Sequence, residues 1–243
     1  MKTGALAAAS AAAVPHTVDL GASPLRELNQ ALHNLPQDTN ETAWRVLNPE
    51  GRHAIAVGVD APVTIEIDGH VGYYCAGMNK RAKVTIRGNA GVGVAENMMS
   101  GEVRVLGDAS QAAGATAQGG LLVIDGDASA RCGISMKGID IVVKGSIGPM
   151  SAFMAQAGNL VVLGDAGEAL GDSLYEARLF VRGTVKSLGA DCIEKPVTDQ
   201  DREILKGVLS RADMLEEVSV DAFRLYGSAR RLYHFHVDNV DAY

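Results

Sequence analysis

The chain has 243 residues, 47% of them hydrophobic and 21% charged, with a formal net charge of −7. Gly, Asp or Lys breaks the apolar residues every few positions, so no run of about 18 is available to span a bilayer. Acidic and basic residues interleave instead of forming a basic footprint, which argues against a nucleic-acid partner. One soluble, cytoplasmic unit with a substantial core is expected.

In chain order, the opening stretch MKTGALAAASAAAVPH has one Lys before an Ala-rich run. Its likeness to a secretory leader is faint, because the run is Ala where such leaders carry Leu, and the reading is against cleavage. Residues 1–60 are assigned to an N-terminal extension and helical cap. Ser23 suits an N-cap, Pro24 the first helical position, and Leu25, Leu28, Leu32 and Leu35 form an apolar stripe ended by Pro36. A helix over about 24–35 follows.

From residue 61 to 190 the chain repeats. Gly69, Gly88, Gly107, Gly126, Gly145, Gly164 and Gly183 stand 19 residues apart without an insertion. Four residues before each glycine is Ile, Val or Leu (Ile65 to Leu179), and two before it is Ile or Val (Ile67 to Val181). That alternation is the mark of a short strand with one buried face. Seven after each glycine stands Ala or Gly, from Ala76 to Ala190, as a crowded inner corner demands. One such repeat cannot bury its own inner face, so the coils must stack. The fold class is an all-β solenoid: a parallel β-helix, right-handed as strand crossovers generally are, with about seven 19-residue coils and small helical caps at both ends. At about 4.8 Å per coil the column is about 34 Å long. The segment GNAGVGVAENMM reads G-x-x-G-x-G and no helix pattern follows it, so its glycines belong to the fold and not to a phosphate loop.

Three residues before the glycines, on the outward side of the strand, the column changes from Glu66, Thr85 and Arg104 to Val123, Val142, Val161 and Phe180. This apolar stripe requires a cover. A helix at about 199–211, opened by a Thr198/Asp201 capping box, is one candidate, and another subunit is the second. If a subunit covers it, Val142→Asp or Phe180→Asp breaks assembly and leaves the chain folded. Residues 191–243 form the C-terminal helix and an aromatic- and Arg-rich tail containing Phe223, Arg224, Tyr226, Arg230, Arg231, Tyr233, Phe235 and Tyr243. Two readings of this tail stand: an arm laid on a partner, or a segment folded back on its own column.

Candidate chemistry is sparse. Cys75 and Cys132 share one repeat offset three coils apart, about 14 Å, too far for a disulfide. With Cys192 they read as reduced, inward thiols. Arg131 beside Cys132 would favour a thiolate, but Cys132 occupies a core column. Asp125, Asp127 and Asp165 read as turn residues. His234 and His236 near Asp238 are the nearest approach to a metal pair and read better as strand or interface residues. No catalytic, cofactor-binding or metal-ligating residue is assigned.

Read with the 19-residue register, the runs GVGVAENMMSGEVRVLGD and AGNLVVLGDAGEALGDSLYEARLFVRG resemble the GXGXG domain, the β-helix that ends the large subunit of glutamate synthase. The resemblance covers about residues 60–190. It implies a structural domain between a glutaminase domain and an FMN-binding barrel, with no catalytic residue to carry over. Lys2 stands where a mature glutaminase offers an N-terminal Cys, and no barrel or iron–sulfur motif is present. Two families keep this domain as a separate chain. The front TVDLGASPLRELNQALHNL and the tail YGSARRLYHFHVDN look like the stand-alone subunit of N-methylglutamate synthase (methylamine–glutamate N-methyltransferase). The alternative is the C subunit of formylmethanofuran dehydrogenase or of the related formyltransferase/hydrolase complex. The first implies a scaffold in a hetero-oligomer, partnered by an amidotransferase-like subunit and an FMN-binding subunit, with FMN and an iron–sulfur cluster in a partner and none in this chain. An independent β-helix binding module is the remaining reading.

Overall fold

The computed structural model describes residues 15–40 and 42–229. Its strands form one 11-stranded sheet in the order β1-β2-β3-β4-β5-β6-β7-β8-β9-β11-β10. Seven of them are the predicted repeat strands: β3 (Thr64–Asp68), β4 (Lys83–Ile86), β5 (Glu102–Val105), β6 (Leu121–Ile124), β7 (Lys137–Val143), β8 (Ala157–Val162) and β9 (Arg178–Val181). All pair in parallel, with Ile65 opposite Val84 opposite Val103 and so on up to Leu179. This is a parallel β-solenoid. Coils are numbered here from the one that begins at Gly69 to the seventh at Gly183, and positions within a coil are counted from that glycine.

The parallel sheet runs further toward the N-terminus than the glycine register shows. β2 (Ala43–Leu47) pairs with β3, Trp44 opposite Ile65, at a spacing of 21 residues. β1 (His16–Asp19) pairs with β2, His16 opposite Trp44, at a spacing of 28. The segment read as a cap therefore also supplies two strands. The register is hidden by a longer turn, in which Asn48 and Glu50 take left-handed backbone at φ 53 and 44, and by the helix inserted between β1 and β2.

That helix, α1 (Leu25–His33), is where the leucine stripe places it, with Leu28 and Leu32 buried. Pro24, not Ser23, is its N-cap, and no side chain caps it. Instead Asn29 fixes the helix to the column: its Nδ2 donates to the Ala54 carbonyl at 2.8 Å and its Oδ1 accepts from the Ala56 N–H at 3.0 Å. At the other end β10 (Cys192–Lys195), α2 (Asp199–Arg211), a 3-10 turn (Val220–Ala222) and β11 (Arg224–Ser228) follow the last coil. β11 runs antiparallel between β9 and β10, Leu225 opposite Phe180 and Tyr226 opposite Glu194. Through Ser228 the tail thus folds back on its own column. Arg230, Arg231, Tyr233, Phe235 and Tyr243 lie outside the described residues, as do the metal-pair candidates His234, His236 and Asp238 and the leader-like residues 1–14.

The repeat glycines are required by packing between coils and not by their own backbone conformation. Gly88 through Gly183 do not adopt positive φ. What forbids a side chain is the coil below: a Cβ on Gly88 would stand 2.7 Å from the carbonyl carbon and oxygen of Gly69. Left-handed backbone occurs elsewhere in each coil. Positions 5, 7 and 9 of coils one to six all have φ between 53 and 71°, among them Tyr74, Arg131, Met150 and Thr116. Each left-handed residue flips the next peptide plane, so the N–H groups aim alternately up and down the stack. Tyr74 donates to Val92 O (2.8 Å), Ala76 to Ile55 O (2.9 Å) and Met78 to Glu96 O (2.8 Å). The backbone is satisfied coil to coil without a strand, and the small residue at position 7 leaves room for the flip. Among the described residues no helix is long and apolar enough to cross a membrane.

Candidate functional site

The outer surface of the column is where a partner or ligand has to be met, and it divides into sides of different chemistry. The strand side is bare over β2–β5 and covered over β6–β9. The cover is α2: Leu205, Val208, Leu209 and Ala212 lie on Val123, Val142, Val161 and Phe180, all buried in one cluster with Met214 and Phe223. The stripe is thus answered within the chain, and it is not a contact surface for another subunit. Val142 and Phe180 are fully buried, so an aspartate at either position strikes the fold itself.

The helix lands here because its start is fixed. Thr198 and Asp201 form the expected capping box, Thr198 N–H donating to Asp201 Oδ2 at 3.0 Å and Asp201 N–H to Thr198 Oγ1 at 3.2 Å. Asp201 also accepts from Arg178 Nε on β9 at 3.1 Å. Burial opposes the ionisation of Asp201, but the hydrogen bonds from Thr198 and Arg178 prevail and hold its carboxyl below the usual range. The far end of α2 is tied by Arg211 to Asp140 on β7.

On the bare part of the strand side every coil's charge meets an opposite one on a neighbour: Arg45 with Asp68 at 2.7 Å, Arg87 with Glu66 at 3.1 Å and Lys83 with Glu102 at 3.0 Å. Where this side meets α2, Arg104 grips Asp125 with two hydrogen bonds (3.0 and 3.2 Å), and Lys144 stands 3.4 Å from the same carboxylate. The hydrogen bonds that Arg104 donates to Asp125 lead the effects that raise the guanidinium's affinity for its proton. Asp125 is therefore an ion-pair residue at the edge of the helix cover, where sequence reading took it for a turn residue.

The other carboxylates of the turn do serve the turn. At position 1 of successive coils, His70, Asn89, Asp108, Asp127, Ser146 and Asp165 each accept the backbone N–H of the residue 19 further on, at 2.7 to 3.0 Å. This side-chain ladder lies against the repeat glycines and explains both columns at once. The N–H and hydroxyl of Thr184 draw the Asp165 carboxyl below its usual range.

The cysteines are core. Cys75 and Cys132 are fully buried and desolvation pushes both thiols up to about 12. Cys192 is raised to about 11 by the same cause, against a lesser pull from Lys195. At neutral pH these are protonated thiols, and Arg131, exposed on the surface, does not activate Cys132. Among the described residues no group of three or more His, Cys, Asp or Glu is arranged to hold a metal ion.

Sequence reading missed a groove of about 650 Å³ where the last coils meet the C-terminal elements. Tyr175, Arg178, Lys195, Thr198 and Tyr226 line it. Its walls come from β9, the start of α2 and β11, elements far apart in sequence. Glu176 and Asp201 also line it, so its two cations are matched by two carboxylates, and Arg178 is already paired with Asp201. It holds no nucleophile paired with a base.

No family model matches the chain. It is similar to a protein of Rhizobium meliloti (strain 1021) named Protein GlxC, with 63% identity over 226 residues that span 93% of this chain and 99% of the relative. Identity at that level over nearly the whole of both chains includes the coils, the helix cover and the capped end together, and the chain belongs to the GlxC family.

Proposed function

We propose that the chain is the scaffold subunit of a glutamate-synthase-related complex of the N-methylglutamate synthase type, which converts methylamine and L-glutamate to N-methyl-L-glutamate and ammonia. The observation that carries this reading is the uninterrupted stack of seven 19-residue coils with its paired ladders of glycine and Asx-type side chains, the architecture that the resemblance to the GXGXG domain implies. In this role the column's contribution is positional. Its coils are cross-linked by backbone hydrogen bonds along their length, so it is a stiff spacer that holds an amidotransferase-like subunit against an FMN-binding subunit. The amine site and the glutamate-derived substrate then stay in register. FMN and an iron–sulfur cluster belong to a partner in this reading, and the complex is a cytoplasmic hetero-oligomer. Because α2 occupies the apolar stripe, these partners meet the bare strand side, the turn ladder, the left-handed side or the groove at the column's end.

Affinity capture of the full chain from its native cells, with mass spectrometry and an absorbance spectrum of the captured material, tests this. Amidotransferase-like and synthase-like partners with a flavin spectrum are the expected result. Amidohydrolase and formyltransferase partners without flavin would overturn it in favour of a formyl-transfer complex. A lone, colourless chain would overturn the scaffold role.

A further inference from the structure

Where the left-handed side turns into the strand side, at positions 12 and 13 of coils two to five, the chain is almost free of side chains: Ser100 and Gly101, Gly119 and Gly120, Gly138, then Ala157 and Gly158. Stacking requires this. Gly101, Gly120, Gly138 and Gly158 have φ of 84, 87, 150 and 100°, and a Cβ on any of them would stand 2.3 to 2.7 Å from a carbonyl oxygen of the coil before. At the surface the consequence is a furrow along the column. Position 11 forms one bank, with Met99, Gln118, Lys137, Gln156 and Tyr175 all exposed, and the strand starts with Arg211 of α2 form the other. The furrow deepens at its head into the groove at coils five and six, and at its foot into a hollow of about 370 Å³ lined by Arg81, Lys83, Glu102, Leu121 and Arg211.

A segment of this chain leaves the column at the head. β11 ends at Ser228, which lines the groove with Glu176, and the Ala229 N–H donates to the Asp191 carbonyl at 2.7 Å. Beyond that point coils six and seven are bonded to each other, Ser173 N–H to Ala190 O at 3.1 Å and Gly189 N–H to Leu170 O at 2.8 Å. The chain cannot continue between them and has to turn outward. Fourteen residues follow Ala229, RRLYHFHVDNVDAY, which lie outside the described residues.

Length and charge fit this segment to the furrow. From β11 down to coil one is about 29 Å, or about nine extended residues, which carries Asp238 to the foot and sets Tyr233 and Phe235 over the glycines of coils three and four. The head is acidic: from Gly145 to Ala177 there are four carboxylates and no Lys or Arg, although one of the four, Glu168, is paired with Lys186. The segment opens with Arg230 and Arg231. The foot has three lining cations to one carboxylate; their partners Asp60, Glu102 and Asp140 leave each cation with donors for a second acceptor, and the segment closes on Asp238 and Asp241. In between, Tyr233, Phe235 and Val237 alternate with His234 and His236, the period of an extended segment with one apolar face.

We infer that residues 230–241 of this chain lie extended in the furrow as a strap from the end groove to coil one, with the arginines at the acidic head and the aspartates at the basic foot. The inference does not depend on the scaffold reading. Within that reading the strap covers the end groove and leaves the bare strand side, the turn ladder and the left-handed side to other subunits.

Cysteine pairs in the full chain test the strap, read as disulfide formation on mild oxidation by non-reducing electrophoresis, with circular dichroism to establish that each variant is folded. The native cysteines are buried and serve as the background. His236→Cys with Met99→Cys, on the furrow's bank in coil two, should link within one chain about tenfold faster or more than His236→Cys with Gln111→Cys, exposed at position 4 of coil three. Ala157→Trp, which fills the furrow just below the exit, should slow the first link about fivefold or more. Equal rates for Met99 and Gln111 overturn the inference. So do links that form only between chains, which place the segment on a second molecule, and a first link that Ala157→Trp leaves unchanged.

Discussion

The strand side and the left-handed side of the column do the same job by opposite means. On the strand side the backbone takes a conformation that each residue favours alone, and side chains decide the rest: β-branched residues inward, paired charges or the helix α2 outward. On the left-handed side many residues take a conformation they disfavour alone, and the hydrogen bonds of the stack hold them there. The first side is stabilised by what its side chains cover, and the second by where its peptides point. Chemically similar substitutions should therefore behave differently on the two.

The largest contrast comes from an added carboxylate. Val142→Asp places an unpaired charge beneath α2 and should cost about 3–5 kcal/mol, read as a drop in the urea midpoint of the isolated chain. Met154→Asp, on the left-handed side and 48% exposed, should change stability by less than about 0.5 kcal/mol, since Asp tolerates the φ of 54° there at least as well as Met. Similar losses from the two would mean that the left-handed side is buried against something within the same chain.

A second contrast concerns what closes the coils. A Cβ on Gly126 would meet Asp108 Oδ1, which could turn aside, and the Gly107 carbonyl oxygen at 2.8 Å and its carbon at 2.9 Å, which as backbone cannot. Gly126→Ala should cost about 3 kcal/mol by forcing adjacent coils apart. Gly207, in the middle of α2, has nothing within 4 Å of that position. There the same replacement should stabilise by about 0.5–1 kcal/mol through helix propensity alone. Denaturant midpoints of the two variants should move in opposite directions; a shared direction would remove coil stacking as the reason for the glycine column.

These contrasts follow what the sequence discloses and what it conceals. The strand columns were legible because alternation at fixed spacing has one reading, and α2 was legible from Thr198 and Asp201, whose capping box is local chemistry. The cover of the Val142 and Phe180 stripe was not legible, since an apolar face looks the same whichever surface lies on it. β1 and β2 were hidden because spacings of 28 and 21 break the register, although Trp44 and Val46 sit in the right columns. The left-handed residues were hidden for a deeper reason. Nothing local sends Tyr74, Met150 or Thr116 to positive φ; only the coils above and below do. The end groove becomes visible only after residues distant in sequence share a surface.

The smallest effect tests that deeper reason. Ala169 holds φ 55° while its N–H donates to Ser187 Oγ at 3.0 Å, a bond that glycine keeps. Ala169→Gly relieves about 1 kcal/mol of left-handed strain and adds a similar entropy to the unfolded chain, so the midpoint should stay within about 0.5 kcal/mol of wild type. Thr85→Gly, in the middle of β4, has no strain to relieve and gives up a β-branched residue, and should cost about 1 kcal/mol or more. If the two losses are equal, Ala169 is not strained, and the left-handed side is set by local preference after all. If Ala169→Gly is neutral beside a costly Thr85→Gly, the stack imposes that backbone, and the side that looks least ordered in sequence is the one most dependent on its neighbours.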